Sequence, residues 1–208
     1  MTNNLAPFRL EEYLATREFS SNFMFCASDL ESRTIKEVLD LLPSREKENF
    51  LDLSLAYTLP EGSLELRQEI SSPYENLNSD NVLCFAGAEE AIYSAANVLL
   101  DRKDHAITLT PCYQSLGSVA KSICDTSELS IDLIDGKWTF NIEKLVKLIK
   151  PNTKVIFINF PHNPTGFIPP IEIFQSIMDV AKQNDIIVFS DEVYRGIEFD
   201  PNNRLPSA

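Results

Sequence analysis

The chain has 208 residues, 44% hydrophobic and 24% charged, which excludes a disordered polypeptide. A net charge of −13 argues against nucleic acid or an anionic membrane surface as partner, but leaves room for a small anion held by backbone amides. The length suits one domain or one and a half. In chain order, the first segment (residues 1–50) is unusually aromatic, with Phe8, Tyr13, Phe19, Phe23 and Phe25 beside Leu14 and Met24. Such side chains are expected in a core. Asp29 to Leu42 reads as a capped helix with an Ile35/Val38/Leu39/Leu42 stripe, stopped by Pro43.

Ser63 is placed to cap a helix running to Ile70. Val82–Phe85 reads as a strand entering the small-residue turn Ala86-Gly87-Ala88, and Glu89 to Leu100 reads as a helix. A helix N-terminus behind a glycine turn offers free N–H groups to an anion, although such turns are common. A strand from His105 ends at Thr110-Pro111, and Tyr113 opens the next helix. Leu129–Ile134 reads as a strand, Asp135-Gly136 as a turn and Asn141–Ile149 as a helix.

The stretch from Lys154 to Asp200 carries the chemistry. Val155–Ile158 and Ile186–Phe189 are short, β-branched runs of the kind buried on both faces of a sheet. Between them, Glu172 to Gln183 has helical apolar spacing. The pattern is a β–loop–α–β unit, which builds a parallel sheet. Asn159, His162 and Asn163 follow the first strand; Ser190, Asp191, Glu192 and Tyr194 follow the second. Ligands bind at that edge of open α/β sheets. In Pro161-His162-Asn163-Pro164-Thr165-Gly166 the prolines stiffen the loop and hold Asn163 extended. A cis Asn163–Pro164 bond is expected there. Read alone, the same loop is also a turn whose Asn caps a helix.

HNPTG followed by SDEVYRG resembles the fold-type I pyridoxal phosphate (PLP) enzymes, specifically the class I/II aminotransferases. The resemblance covers residues from about 50 to 200 well and the N-terminal segment loosely. It implies an α/β fold with a mainly parallel sheet and helices on both faces. It also implies pyridoxal 5'-phosphate as cofactor, with Asn163 and Tyr194 on the phenolic oxygen and Asp191 on the pyridine nitrogen. A buried carboxylate keeps that nitrogen protonated, and the protonated ring is an electron sink. Gly87, Ala88 and Glu89 correspond to the phosphate cup, acting mainly through backbone amides. Ala86 and Ala88 lack the hydroxyl that many relatives place there. Tyr113 corresponds to the aromatic that stacks on the ring; a core tyrosine is the alternative. Tyr57, Gly62, Leu66 and Arg67 match a Y-x(4)-G-x(3)-L-R segment, making Tyr57 either a phosphate ligand acting across a dimer interface or a tyrosine packed in that interface.

The resemblance further implies residues 1–50 contributing to a small domain and to dimer contacts, and residues 51–208 forming the first part of the cofactor-binding domain. The family's Schiff-base lysine lies in an S-x-S-K type segment after the tyrosine, yet no lysine follows Lys182. Earlier lysines (Lys121, Lys137, Lys144, Lys147, Lys150, Lys154) read as surface charge. The substrate-carboxylate arginine is also missing. The expectation is the N-terminal portion of an aminotransferase that moves an amino group between an amino acid and a 2-oxo acid, homodimeric when complete. Two alternatives stay open: an inactive remnant serving as an interaction domain, and a carbon–sulfur lyase or carbon–carbon synthase on the same scaffold. The four cysteines show no metal spacing and read as reduced cytoplasmic thiols, and two histidines are too few for a metal cluster. MTNNLAPFRLEEYL lacks a basic region followed by an apolar run, so no signal peptide is expected.

Overall fold

The computed structural model describes residues 5–26 and 30–208. The chain divides into two compact units, Arg9–Cys84 and a second made of Met1–Phe8 with Phe85–Ala208.

The Arg9–Cys84 unit is helical: α1 (Arg9–Ala15), α2 (Ile35–Asp40), α3 (Ser44–Leu51) and α4 (Leu64–Ser71). Helix α2 starts later than expected because Thr34 supplies its cap, with Glu37 reaching back in a capping box. Asp29, the expected start, lies outside the described residues. Ser63 caps α4 as expected, accepting from the Leu66 N–H at 3.3 Å. Arg67 is buried and donates to the carbonyls of Gly62 at 3.1 Å and Ser79 at 2.6 Å. Gly62 has φ +102°, and a Cβ there would sit 2.5 Å from the Cys84 Sγ, so the turn admits glycine alone. The expected aromatic core is not formed: Phe19, Phe23 and Phe25 are exposed. Helices this short carry an apolar stripe but provide no layer to close over it.

In the other unit, α5 (Ala88–Leu99), β1 (His105–Thr110), α6 (Gln114–Ile123), β2 (Asp125–Ser130), β3 (Asp132–Ile134), β4 (Lys137–Thr139), α7 (Ile142–Leu148), β5 (Thr153–Asn159), α8 (Ile171–Gln183) and β6 (Ile187–Asp191) follow in order. The main sheet has the order β2-β1-β5-β6 and is parallel throughout. Successive strand residues face opposite sides. Ile107, Ile156 and Ile158 therefore join Leu145, Phe174 and Ile177 of α7 and α8 in one cluster. Ala106, Val155 and Phe157 join Ile92 and Ala96 of α5 and Leu116 and Val119 of α6 in the other. Helices thus cover both faces, as expected.

The expected strand at Val82–Phe85 does not form. Apolar character makes a strand only beside a pairing partner, and this segment makes only loop bonds, Val82 N–H to the Ser79 carbonyl and Cys84 N–H to the Glu61 carbonyl. The expected strand at Leu129–Ile134 is split. Residues to Ser130 belong to β2, and β3 folds back on β4 through Asp135 and Gly136, both at positive φ. The Asn163–Pro164 bond is cis, as are Thr110–Pro111 and Phe160–Pro161. Among the described residues no helix is long and apolar enough to cross a membrane.

Candidate functional site

Strands β1, β5 and β6 are neighbours in one parallel sheet, so their carboxyl ends share an edge. Tyr113 follows β1, Asn163 follows β5, and Asp191 with Tyr194 follows from β6. The Asn163 Nδ2 donates to the Tyr194 hydroxyl at 3.3 Å, which brings together two side chains 31 residues apart. Asn163 is held by its own backbone too: its N–H donates to the buried Asn159 Oδ1 at 2.8 Å.

Asp191 closes β6, paired in register with Asn159. Its Oδ1 accepts the Val193 N–H at 3.1 Å. Burial raises the carboxyl's pKa above the ordinary value; the Val193 N–H partly offsets this, and the Glu89 and Glu192 carboxylates add to it. Among the described residues no cation pairs with Asp191. A half-buried carboxylate in that state favours a cationic ligand atom, which would restore its ionised form.

The Ser115 hydroxyl, near the start of α6 just after β1, donates to the Glu89 carboxylate and ties the α5 N-terminus to this edge. Gly87 precedes the helix with φ +106°, no side chain caps it, and a Cβ at Gly87 would meet nothing within 4 Å. The start of this 12-residue helix is exposed and uncapped by a side chain, which suits a phosphate. The Glu89 carboxylate is engaged elsewhere, accepting from the buried Ser115 hydroxyl at 2.9 Å, and Glu90 accepts from the Ala86 N–H. The Tyr113 ring is half-buried and packs edge-on against Phe8, with centroids 5.4 Å apart.

Tyr57 lies in the Arg9–Cys84 unit, where it is fully exposed. Gly62 and Arg67 of its motif have the structural tasks described above. Lys121, Lys144, Lys150 and Lys154 pair with Glu128, Asp132, Asp125 and Asp104, which agrees with their reading as surface charge. Sequence reasoning counted Asn159 only as one polar residue past a strand. A polar amide at the end of an otherwise apolar strand run was the available signal.

The sequence profile described as "Aminotransferase class I and II" matches residues 23–206. A probable aspartate aminotransferase of Methanocaldococcus jannaschii is 31% identical over 155 residues, 72% of this chain and 41% of the relative. Kynurenine--oxoglutarate transaminase 3 of Bos taurus is 29% identical over 167 residues, 73% of this chain and 37% of the relative. The chain thus spans roughly two fifths of the length of these curated relatives. The crystal structure of a PLP-dependent aminotransferase from Streptococcus suis superposes with a TM-score of 0.88 at 29% identity, covering 98% of this chain and 55% of that one. A PLP-dependent cyclase shares the fold at 24% identity and a TM-score of 0.77. With its profile match running through both the HNPTG and SDEVYRG segments, the chain belongs to the class I and II aminotransferases.

Proposed function

We propose that this chain forms the cofactor-holding part of a PLP-dependent aminotransferase acting on an amino acid and a 2-oxo acid. The observation that carries the reading is the Asn163–Tyr194 hydrogen bond on the same sheet edge as the half-buried Asp191, which pairs with no cation among the described residues. A phenolic oxygen and a protonated pyridine nitrogen on one ring need those two kinds of group.

Pyridoxal 5'-phosphate supplies, when bound, a ring that withdraws electrons from a substrate carbon. Asp191 holds a proton at the ring nitrogen. Asn163 and Tyr194 donate to the phenolic oxygen and fix the ring's rotation. Tyr113 covers one ring face and keeps water from it. The amides at Gly87, Ala88 and Glu89 hold the phosphate, and Tyr57 of a second copy reaches that phosphate across a homodimer interface. In the same proposal, residues 1–50 contribute to a small domain and to the dimer contacts. No lysine of this chain is assigned as the amine that carries the cofactor and moves the substrate proton. Cytoplasmic placement in a biosynthetic role fits the free thiols of Cys26, Cys84, Cys112 and Cys124.

Titration of the purified protein with pyridoxal 5'-phosphate, followed by visible absorbance, tests the reading. Saturable binding that is lost in Asp191→Ala is the expected result. Equal binding by wild type and Asp191→Ala would sink it.

A further inference from the structure

We infer that Asn159 is a positioning residue that sets the spacing between Asn163 and Asp191. This rests on the reading of those two side chains as cofactor-facing groups. Asn159 is the last residue of β5 and is 1% exposed. Its Oδ1 accepts the Asn163 N–H at 2.8 Å, and its Nδ2 donates to the Asp191 carbonyl at 2.8 Å. The same Asp191 carbonyl takes the Phe160 N–H at 3.3 Å. Asn159 and Asp191 are also the last paired residues of the β5–β6 ladder.

Beyond that point both segments leave the sheet, one into the Pro161–Gly166 loop and the other into the turn toward Tyr194. The last backbone bond between them is the Phe160 N–H to the Asp191 carbonyl. The buried Asn159 amide adds a brace there, with one end on each segment. The chemistry is selective. Only a primary amide presents a donor and an acceptor a short distance apart on so short a stem. Aspartate keeps an acceptor for Asn163 but has no donor for the Asp191 carbonyl; leucine keeps the volume and offers neither. Because Asn159 bonds the backbone of both site residues, a displacement at Asn159 changes the separation between the ring-nitrogen partner and the phenolic-oxygen partner.

The experiment uses pyridoxal 5'-phosphate labelled with ¹⁵N in the ring, added to the wild-type protein and to Asn159→Asp and Asn159→Leu. Affinity is read by titration, ring protonation by the ¹⁵N chemical shift, and folding by circular dichroism and thermal melting. The expected result is affinity weakened about tenfold or more in each folded variant, with the ring-nitrogen signal moved toward that of neutral pyridine. A purely structural residue would lower the melting temperature and leave ring protonation alone. Asn159→Asp keeps one of the two bonds, so it decides the matter if Asn159→Leu fails to fold. A folded variant with wild-type affinity and ring signal overturns the inference while leaving the cofactor reading intact. A wild-type protein that does not bind, or binds the ring unprotonated, overturns both.

Discussion

The unit containing residues 85–208 closes two apolar clusters, one on each face of a parallel sheet. The Arg9–Cys84 unit buries Leu39 alone among its described apolar side chains, while Leu55, Tyr57, Phe19 and Phe25 stand almost wholly in solvent. The difference is one of layers. A strand residue such as Val155 or Ile156 has a helix above or below it whichever way it points. A helix of six to eight residues has one stripe and needs a second surface to cover it. What orders the helical unit is local: the Thr34 capping box, the Ser63 cap and the Arg67 pin. The candidate site belongs to the well-packed unit, where side chains can be held to hydrogen-bonding tolerance.

The largest expected effect tests that contrast directly. Phe157, 1% exposed, should cost about 3–5 kcal/mol when replaced by alanine, through lost burial and a residual cavity. Leu55→Ala should change stability by no more than about 0.5 kcal/mol. Urea unfolding followed by Trp138 fluorescence measures the first, since that indole packs against the sheet's core. Equal costs at the two positions would mean that the helical unit hides an apolar core after all.

Arg67→Leu comes next. It removes two charge-assisted bonds to carbonyls, at about 1.5–3 kcal/mol for hydrogen bonds to a charged group, and leaves the Gly62 and Ser79 oxygens unmatched. Amide hydrogen exchange should speed up across α4 and leave β5 unchanged. Loss of protection in β5 would show that the two units unfold as one.

The contrast also separates what the sequence made legible from what it did not. The β5–α8–β6 segment was readable almost to the residue, because β-branched runs, helical apolar spacing and stiff prolines are local signals. The same signals misled at Val82–Phe85, where strand-like residues have no ladder to join, and at Ile131, where one apolar run serves two different sheets. The aromatic N-terminus was misplaced because composition says what a side chain favours, not whether a second layer exists to receive it. At the site, Asn163, Asp191 and Tyr194 were legible as motif residues. The bonds that tie them to one another were not: Asn159 with Asp191 and Asn163 with Tyr194 join segments more than thirty residues apart. Arg67 was seen as a motif position, and its task as a pin on two loops emerged only from the fold.

The smallest expected effect comes from acid. The chain's two histidines, His105 and His162, both lie in the sheet-containing unit and are buried. Burial lowers both imidazoles' pKa values below the ordinary 6.5, with Lys150 assisting at His105 and the Pro111 carbonyl opposing at His162. As pH falls below 6.5, the unfolded chain therefore takes up protons before the folded one does. Stability that is complete above that value is lost progressively as pH drops toward the folded-state values. Asp191 acts with the opposite sign: its raised pKa means the folded state takes its proton first, so acid relieves rather than costs. Urea midpoints from Trp138 fluorescence, taken between about pH 7.5 and 5.5 in an Asp191→Asn background, isolate the histidines. The midpoint should fall with pH, and His105→Gln should flatten the slope, because a glutamine can still bond Thr153 or Ser127 but does not titrate. The Arg9–Cys84 unit contains no histidine, so its α4 exchange protection, corrected for intrinsic rates, should not follow the same curve. If it does, the sheet and the short helices share one cooperative transition, and the difference in their packing does not divide their stability.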